Sequence, residues 1–164
     1  MGERRREAFR VVFDRSVKIE FRGAHVTSDA GLLAFRELDE ALGLTRMASK
    51  FLTETRTGRN TRHGLVSQLR QSVYSRLAGY EDTNDAERLC HDPAMRRVVG
   101  GRALAHTAAS TSQMGRFETD VLTQLENLRG LIDLPGRWIG LVGKRKPANK
   151  LILDLDSSVS PTHG

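Results

Sequence analysis

The chain has 164 residues, 26 Lys+Arg against 20 Asp+Glu and a net charge of +6, with 38% apolar and 5% aromatic residues. That leaves little of the β-branched and aromatic material a large all-β protein wants, and no stretch approaches the roughly 18 apolar residues of a membrane span. The start, Met-Gly-Glu-Arg-Arg-Arg-Glu, has no apolar run behind it to make a secretory signal, and a single cysteine, Cys90, cannot form an internal disulfide, which fits a reducing cytoplasm.

From Val17 the chain alternates, with Val17, Ile19 and Phe21 against Lys18, Glu20 and Arg22. A period of two predicts a strand, one arm of a hairpin, ended by Gly23. After Ser28 the period lengthens. Ser28 or Asp29 is a candidate helix cap, Leu32, Phe35, Leu38 and Leu42 form one stripe, and Gly43 is a natural stop. A polar basic loop over 53–60 precedes Thr61, read as the cap of a second helix. That helix carries Leu65, Leu69, Val73 and Leu77 at four-residue spacing and ends at Gly79. Asp92-Pro93 predicts a capped short helix closed by Gly100-Gly101.

Residues 102–111 read as a small, polar connector, and Ser110 with Gln113 fits a capping box. Met114, Phe117, Val121, Leu125 and Leu128 then predict one amphipathic helix. Leu134-Pro135-Gly136 should break it. Residues 137–150 contain Gly140, Gly143 and Pro147 and read as an irregular arm. The apolar run after Lys150, ending in Asp154 and Asp156, predicts a buried strand. The resulting fold class is mainly α with a short N-terminal β hairpin.

Positive charge is clustered. Residues 44–80 hold Arg46, Lys50, Arg56, Arg59, Arg62, Arg70 and Arg76 against Glu54 alone, and residues 135–150 hold Arg137, Lys144, Arg145, Lys146 and Lys150 with no acid. Residues 81–92 between them are acidic. Such clustering is the electrostatic footprint of a polyanion; the plainer alternative is a solvated basic face.

Side-chain alternation sets Ile152, Asp154 and Asp156 on one strand face and Leu151, Leu153 and Leu155 on the other. Two carboxylates on an apolar strand are costly to bury unpaired, and a divalent metal relieves that cost. The alternative is an Asp pair that merely caps or solvates a strand end. The five histidines show no ligand spacing with one another or with Cys90, so no zinc site is expected, and Cys90 reads as a core thiol rather than a nucleophile. Gly140-Leu-Val-Gly-Lys144 lacks the spacing of a phosphate-cradling loop. Gln113 and Arg116, in the first turns of a capped helix, have the placement of a recognition helix; an ordinary polar helix face is the alternative.

Three segments then resemble one family. They are Thr-Ser-Asp-Ala-Gly-Leu-Leu at 27–33, the stretch from Gly-Tyr-Glu-Asp-Thr-Asn-Asp to Cys-His-Asp-Pro-Ala at 79–94, and Ala-Ser-Thr-Ser-Gln-Met-Gly-Arg-Phe-Glu at 109–118. They are followed by Leu-Asp-Leu-Asp-Ser-Ser at 153–158. In order and spacing these resemble the N-terminal half of bacterial insertion-sequence transposases of the DDE class, the group called transposase DDE domain group 1, from about residue 9 onward. The resemblance implies a strand or hairpin segment at 1–27, a helical DNA-binding region at 28–134, a basic linker at 135–149, and at 150–164 the first strand of an RNase H-like α/β core.

It further implies that Asp156, with Asp154 as the alternative, is the first catalytic acid and a ligand for Mg²⁺ or Mn²⁺. The chain stops one strand into that core, without the second and third acids, so it is expected to be an inactive fragment that binds no metal tightly. Arg56, Arg59, Arg62, Lys144, Arg145 and Lys146 are the expected phosphate contacts, and Gln113 and Arg116 the expected base contacts. The implied partners are double-stranded DNA at transposon ends and a second copy of the chain, with no membrane, in a nucleoid-associated cytoplasmic setting. The alternative function is a non-enzymatic repressor that occupies those ends. A third is an interaction module pairing the Met114–Leu128 stripe with a partner helix.

Overall fold

The structure, a computed structural model, describes residues 9–19, 29–57, 61–145, 147, 150 and 152. Phe9–Arg10 (β1) and Lys18–Ile19 (β2) pair antiparallel, Phe9 opposite Ile19 and Arg10 opposite Lys18. Two-residue strands cannot stand alone in water. This hairpin leans on the helices instead. Val11 is fully buried, the Val12 N–H donates to Glu37 Oε2 at 2.8 Å, Arg36 stacks over the Phe13 ring, and Asp14 pairs with Arg97. The expected alternation is thus realised at Lys18–Ile19, while Phe21 lies outside the described residues.

The rest is helical. Leu32–Leu42 (α1) ends at Gly43, whose φ of 75° needs no Cβ, and Leu44–Ala48 (α2) follows at once. The α1 stripe is rotated from the expected one. Leu32, Arg36 and Asp39 face inward, while Phe35 and Leu38 stay exposed. The reason is that Arg36 and Asp39 bury each other as a pair.

Leu65–Leu77 (α3) starts one residue after Gly64, an extended N-cap with no side-chain cap. The Thr61 cap is therefore corrected: the helix begins four residues later. Gly79, at φ 86°, ends the turn after it as expected. A 3₁₀ turn at Thr83–Asp85 leads into Ala86–Leu89 (α4) and Pro93–Val99 (α5). Asp92 caps α5 by accepting from the Met95 N–H at 2.7 Å, with Pro93 at the first turn. A second 3₁₀ turn, Gly101–Leu104, precedes Thr111–Arg116 (α6), a π-helical segment Phe117–Leu122, and the long Leu125–Arg145 (α7).

Two apolar clusters flank α3. Ala48, Leu52, Leu65, Leu69, Met114, Phe117, Val121 and Leu134 form one. Leu32, Tyr74, Leu89, Cys90, Met95, Val98 and Val99 form the other. Val73 packs against both, so α3 is the shared wall.

The single helix expected over 114–128 is corrected. Met114, Phe117 and Val121 are core, but Leu125 and Leu128 are exposed on α7. The wider π turn shifts the register, and the break at residues 123–124 re-aims the chain. The first half of the Met114–Leu128 stripe is therefore buried in this chain's own core, and only Leu125 and Leu128 of it face outward. The irregular arm expected at 137–150 is corrected as far as Arg145, because α7 runs through Pro135 to that residue. Proline removes one hydrogen bond from the ladder, but tertiary anchors hold both flanks. Leu134 is buried, Arg137 stacks on Phe51, Trp138 Nε1 donates to the Leu42 carbonyl at 3.2 Å, and Arg145 donates to the Ala41 carbonyl. The strand expected from Leu151, and with it the RNase H-like core, lies outside the described residues, Ile152 apart.

Candidate nucleic-acid interface

The loop over 52–57 would be free to wander without side-chain ties. The fully buried Asn127, in the first turn of α7, holds it: Oδ1 accepts from the Thr53 N–H at 2.7 Å, and Nδ2 donates to the Thr53 carbonyl at 3.1 Å and the Val121 carbonyl at 2.8 Å. Gln124 Nε2 adds a bond to Thr55 Oγ1 at 2.8 Å. Arg56 is then locked by Glu54, whose carboxylate this guanidinium holds below its usual range despite partial burial, and by the His63 carbonyl at 3.1 Å.

A matching clamp positions α6. The buried Gln71 carboxamide bonds both ways to Ala109, donating at 2.7 Å and accepting at 2.8 Å. Gln68 Nε2 donates to the Gln113 carbonyl at 3.2 Å. Gln113 Oε1 accepts from the Ser110 N–H at 2.9 Å, completing the expected capping box. The Gln71 and Asn127 amides are satisfied at both ends and so fix geometry as well as energy, whereas Gln68 Oε1 has no partner among the described residues.

These ties shape two adjoining hollows. One, of about 410 Å³, is lined by Arg62, His63, Arg96, Arg102, His106, Thr107 and Gln113. The other, of about 570 Å³, is lined by Thr55, Arg56, Thr57, Arg62, Gln113, Arg116 and Asp120. Arg62 and Gln113 belong to both. Together they form a cleft with five arginines and one carboxylate. Arg62, Arg96, Arg102 and Arg116 make no ion pair among the described residues, whereas Arg36, Arg46, Arg56, Arg70, Arg76, Arg97 and Arg137 all do. Arg96 is braced by the Ala103 and Leu104 carbonyls at 2.9 and 3.0 Å. Like charges gathered without counterions focus a positive field that draws a polyanion.

Of the residues expected from the sequence, Arg56, Arg62, Gln113 and Arg116 are brought together here. The Gln113 oxygen is taken by its own helix cap, which leaves only the Nε2 end for a ligand. Lys144 and Arg145 are exposed on the last turn of α7 and line neither hollow. Arg59, Lys146, Asp154 and Asp156 lie outside the described residues. Sequence reasoning missed Arg96, Arg102, His63 and His106. The signal was present: residues 96–106 hold Arg96, Arg97, Arg102 and His106 with no acid.

Cys90 is buried, and burial raises its thiol pKa, so it is the inert core thiol expected. Among the described residues no group of three or more His, Cys, Asp or Glu side chains is placed to hold a metal ion. No helix among them is long and apolar enough to cross a membrane.

The family model described as transposase DDE domain group 1 matches residues 9–164. No curated protein and no solved structure matches the chain. Because the family match runs from the first residue of the hairpin through the cleft to Gly164, the chain belongs to the transposase DDE domain group 1 family.

Proposed function

We propose that this chain supplies the DNA-end-binding part of a DDE transposase and that the cleft around Arg62 and Gln113 is its contact surface. The observation that carries this is the gathering of Arg62, Arg96, Arg102 and Arg116 from three separate stretches of chain into one cleft, with no ion pair for any of them among the described residues. Phosphate contacts position a duplex and base contacts specify it. The arginines serve the first role; the Gln113 amide, in the first turn of α6, and Arg116, the last residue of that helix, serve the second. Lys144 and Arg145 extend the phosphate contacts beyond the cleft, and Arg59 and Lys146 are read as further phosphate contacts.

In this reading Asp156, or Asp154, is the first catalytic acid of an RNase H-like core and a ligand for Mg²⁺ or Mn²⁺. DDE transposases typically use divalent metals, which stabilise the attacking and leaving oxygens of phosphodiester transfer.

The test is fluorescence anisotropy of the full chain on a labelled duplex carrying the element's terminal repeat, across a salt series. Affinity should fall with salt along a log–log slope of roughly −0.9 per phosphate neutralised. Arg62→Ala combined with Arg116→Ala should weaken binding at least tenfold and flatten that slope. Binding that ignores salt, or a double variant that binds like the parent, overturns the reading.

A further inference from the structure

The first hollow has a feature that general stickiness toward DNA does not need. His63 is 6% exposed, yet its Nδ1 has no hydrogen-bond partner among the described residues. A buried polar nitrogen left unpaired costs on the order of 1–3 kcal/mol and calls for an explanation. The ring lines the hollow together with Arg62, Arg96, Arg102 and His106. The charged and titratable groups that face it are Arg56 and Arg62 from its own loop, Arg96 from α5, Arg102 from the Gly101–Leu104 turn and His106 just after it, all basic. Asp120 lines only the second hollow, and Glu54, the acid beside Arg56, is ion-paired to that guanidinium.

We propose that the hollow between the 61–64 loop, α5 and the Gly101–Leu104 turn seats a single phosphate group, and that His63 takes a proton from solvent when the phosphate enters. This rests on the cleft reading above and deepens it, by turning one wall of a general basic surface into a discrete, proton-linked phosphate seat. Without a ligand, burial first, and then the charges of Arg102, Arg56 and Arg62, hold the ring below its usual pKa, so it is neutral. A phosphate brings negative charge into the same space and reverses the balance. The imidazolium then adds a positive charge that was absent from the empty hollow. Arg62 and Arg102, ion-paired to nothing among the described residues, supply the fixed charge, and Arg96 is held in the wall by its two carbonyls. The phosphate belongs either to the DNA backbone or to a free phosphate or nucleotide, and the test separates these sources.

The experiment follows the His63 ring by NMR between pH 5 and 8, alone, with inorganic phosphate and with a duplex, beside duplex affinity measured over the same pH range. Phosphate and duplex should each raise the His63 pKa by about one unit, and duplex affinity should rise about tenfold from pH 8 to pH 5.5. His63→Gln should bind duplex no more tightly at pH 5.5 than at pH 8, while Arg102→Gln, an exposed and fold-neutral change, should abolish the phosphate-induced shift. An unmoved His63 titration in both arms, or a pH response that survives in His63→Gln, overturns the seat while leaving salt-dependent duplex binding intact. A shift with inorganic phosphate in a protein that binds no duplex supports the seat, assigns it to free phosphate and overturns the DNA reading.

Discussion

Two parts of this molecule gather arginines, and they use them in opposite ways. Around Asp39, Arg36 and Arg70 are drawn to one buried carboxylate, at 3.4 and 3.8 Å. The same carboxylate accepts from the Thr45 N–H at 2.8 Å, from Thr45 Oγ1 at 2.5 Å and from Tyr74 Oη at 3.2 Å. Glu40 adds a second acid to Arg36 at 2.9 Å. Burial, then the charge of Asp39, pushes the Tyr74 phenol far above its usual pKa, so it stays a donor. Around Gln113 five arginines gather, but only Arg56 has an acid of its own. An arginine matched by a buried carboxylate holds helices together; an arginine left without one is held in place by the fold and its charge remains available. Position relative to acids, not residue type, separates structure from function here.

The contrast breaks most visibly at Asp39. Asp39→Ala should cost about 3–5 kcal/mol of unfolding free energy, because it strands Arg70, Tyr74 and the Thr45 N–H in a buried site and leaves Arg36 with Glu40 alone. Urea denaturation reads this directly. Arg62→Ala and Arg102→Ala should each stay within about 0.5 kcal/mol of the parent while weakening duplex binding. Equal destabilisation by Arg62→Ala would make the cleft a second structural network and end the distinction.

A smaller effect sharpens the contrast by testing what holds the cleft open. Asn127→Ala removes the three bonds that fix Thr53 and Val121, at a cost of about 1–3 kcal/mol. The Thr53 amide should then exchange its hydrogen faster, and the Arg56 wall should loosen while the Asp39 network is unchanged. Gly130→Ala is a parallel probe of how closely α7 sits. A Cβ there would lie 2.9 Å from the Phe51 carbonyl oxygen, on backbone that cannot swing aside. Overpacking of that kind costs about 1–3 kcal/mol, readable as a lower melting temperature.

What the sequence disclosed was local. Gly43, Gly79, Asp92-Pro93 and the Ser110–Gln113 box act within a few residues of themselves, so their turns and caps could be read directly. The α1 stripe was misread because a pattern of apolar and polar residues assigns Arg36 and Asp39 to solvent, and only their mutual pairing lets both go inside. Pro135 was misread because the anchors that carry α7 past it, Trp138 to Leu42 and Arg145 to Ala41, join residues about a hundred positions apart. The cleft divides the same way. Clustered charge pointed to Arg56 and Arg62, and the capped helix start to Gln113 and Arg116, but their meeting with Arg96, Arg102 and His63 depends on Gln71 reaching Ala109 and Asn127 reaching Thr53 across the fold.

The smallest effect separates the cleft by pH from another paired arginine, Arg76 with Glu118. His63 has a folded-state pKa below its ordinary value of about 6.5. The unfolded chain therefore takes up a proton there before the native protein does. Stability is full above about pH 6.5 and declines as pH falls toward the depressed folded value. Glu118 is also depressed: burial opposes this, but its bonds to Arg76 and Ser72, both at 2.9 Å, prevail. Its contribution is present above the ordinary glutamate range and is lost only as pH falls below it, in a more acidic window. The acid side of the stability profile should thus show an early, shallow decline from the cleft and a later one from the Arg76–Glu118 pair. His63→Gln should remove the first and leave the second. Inorganic phosphate should remove the first in the parent protein as well, because a seated anion lets the native state accept the proton that otherwise only the unfolded chain would take. Urea midpoints at pH 7.5, 6.0 and 5.0, with and without phosphate, measure this. A phosphate effect of the same size in His63→Gln would assign it to general anion binding on the basic surface instead of to the ring.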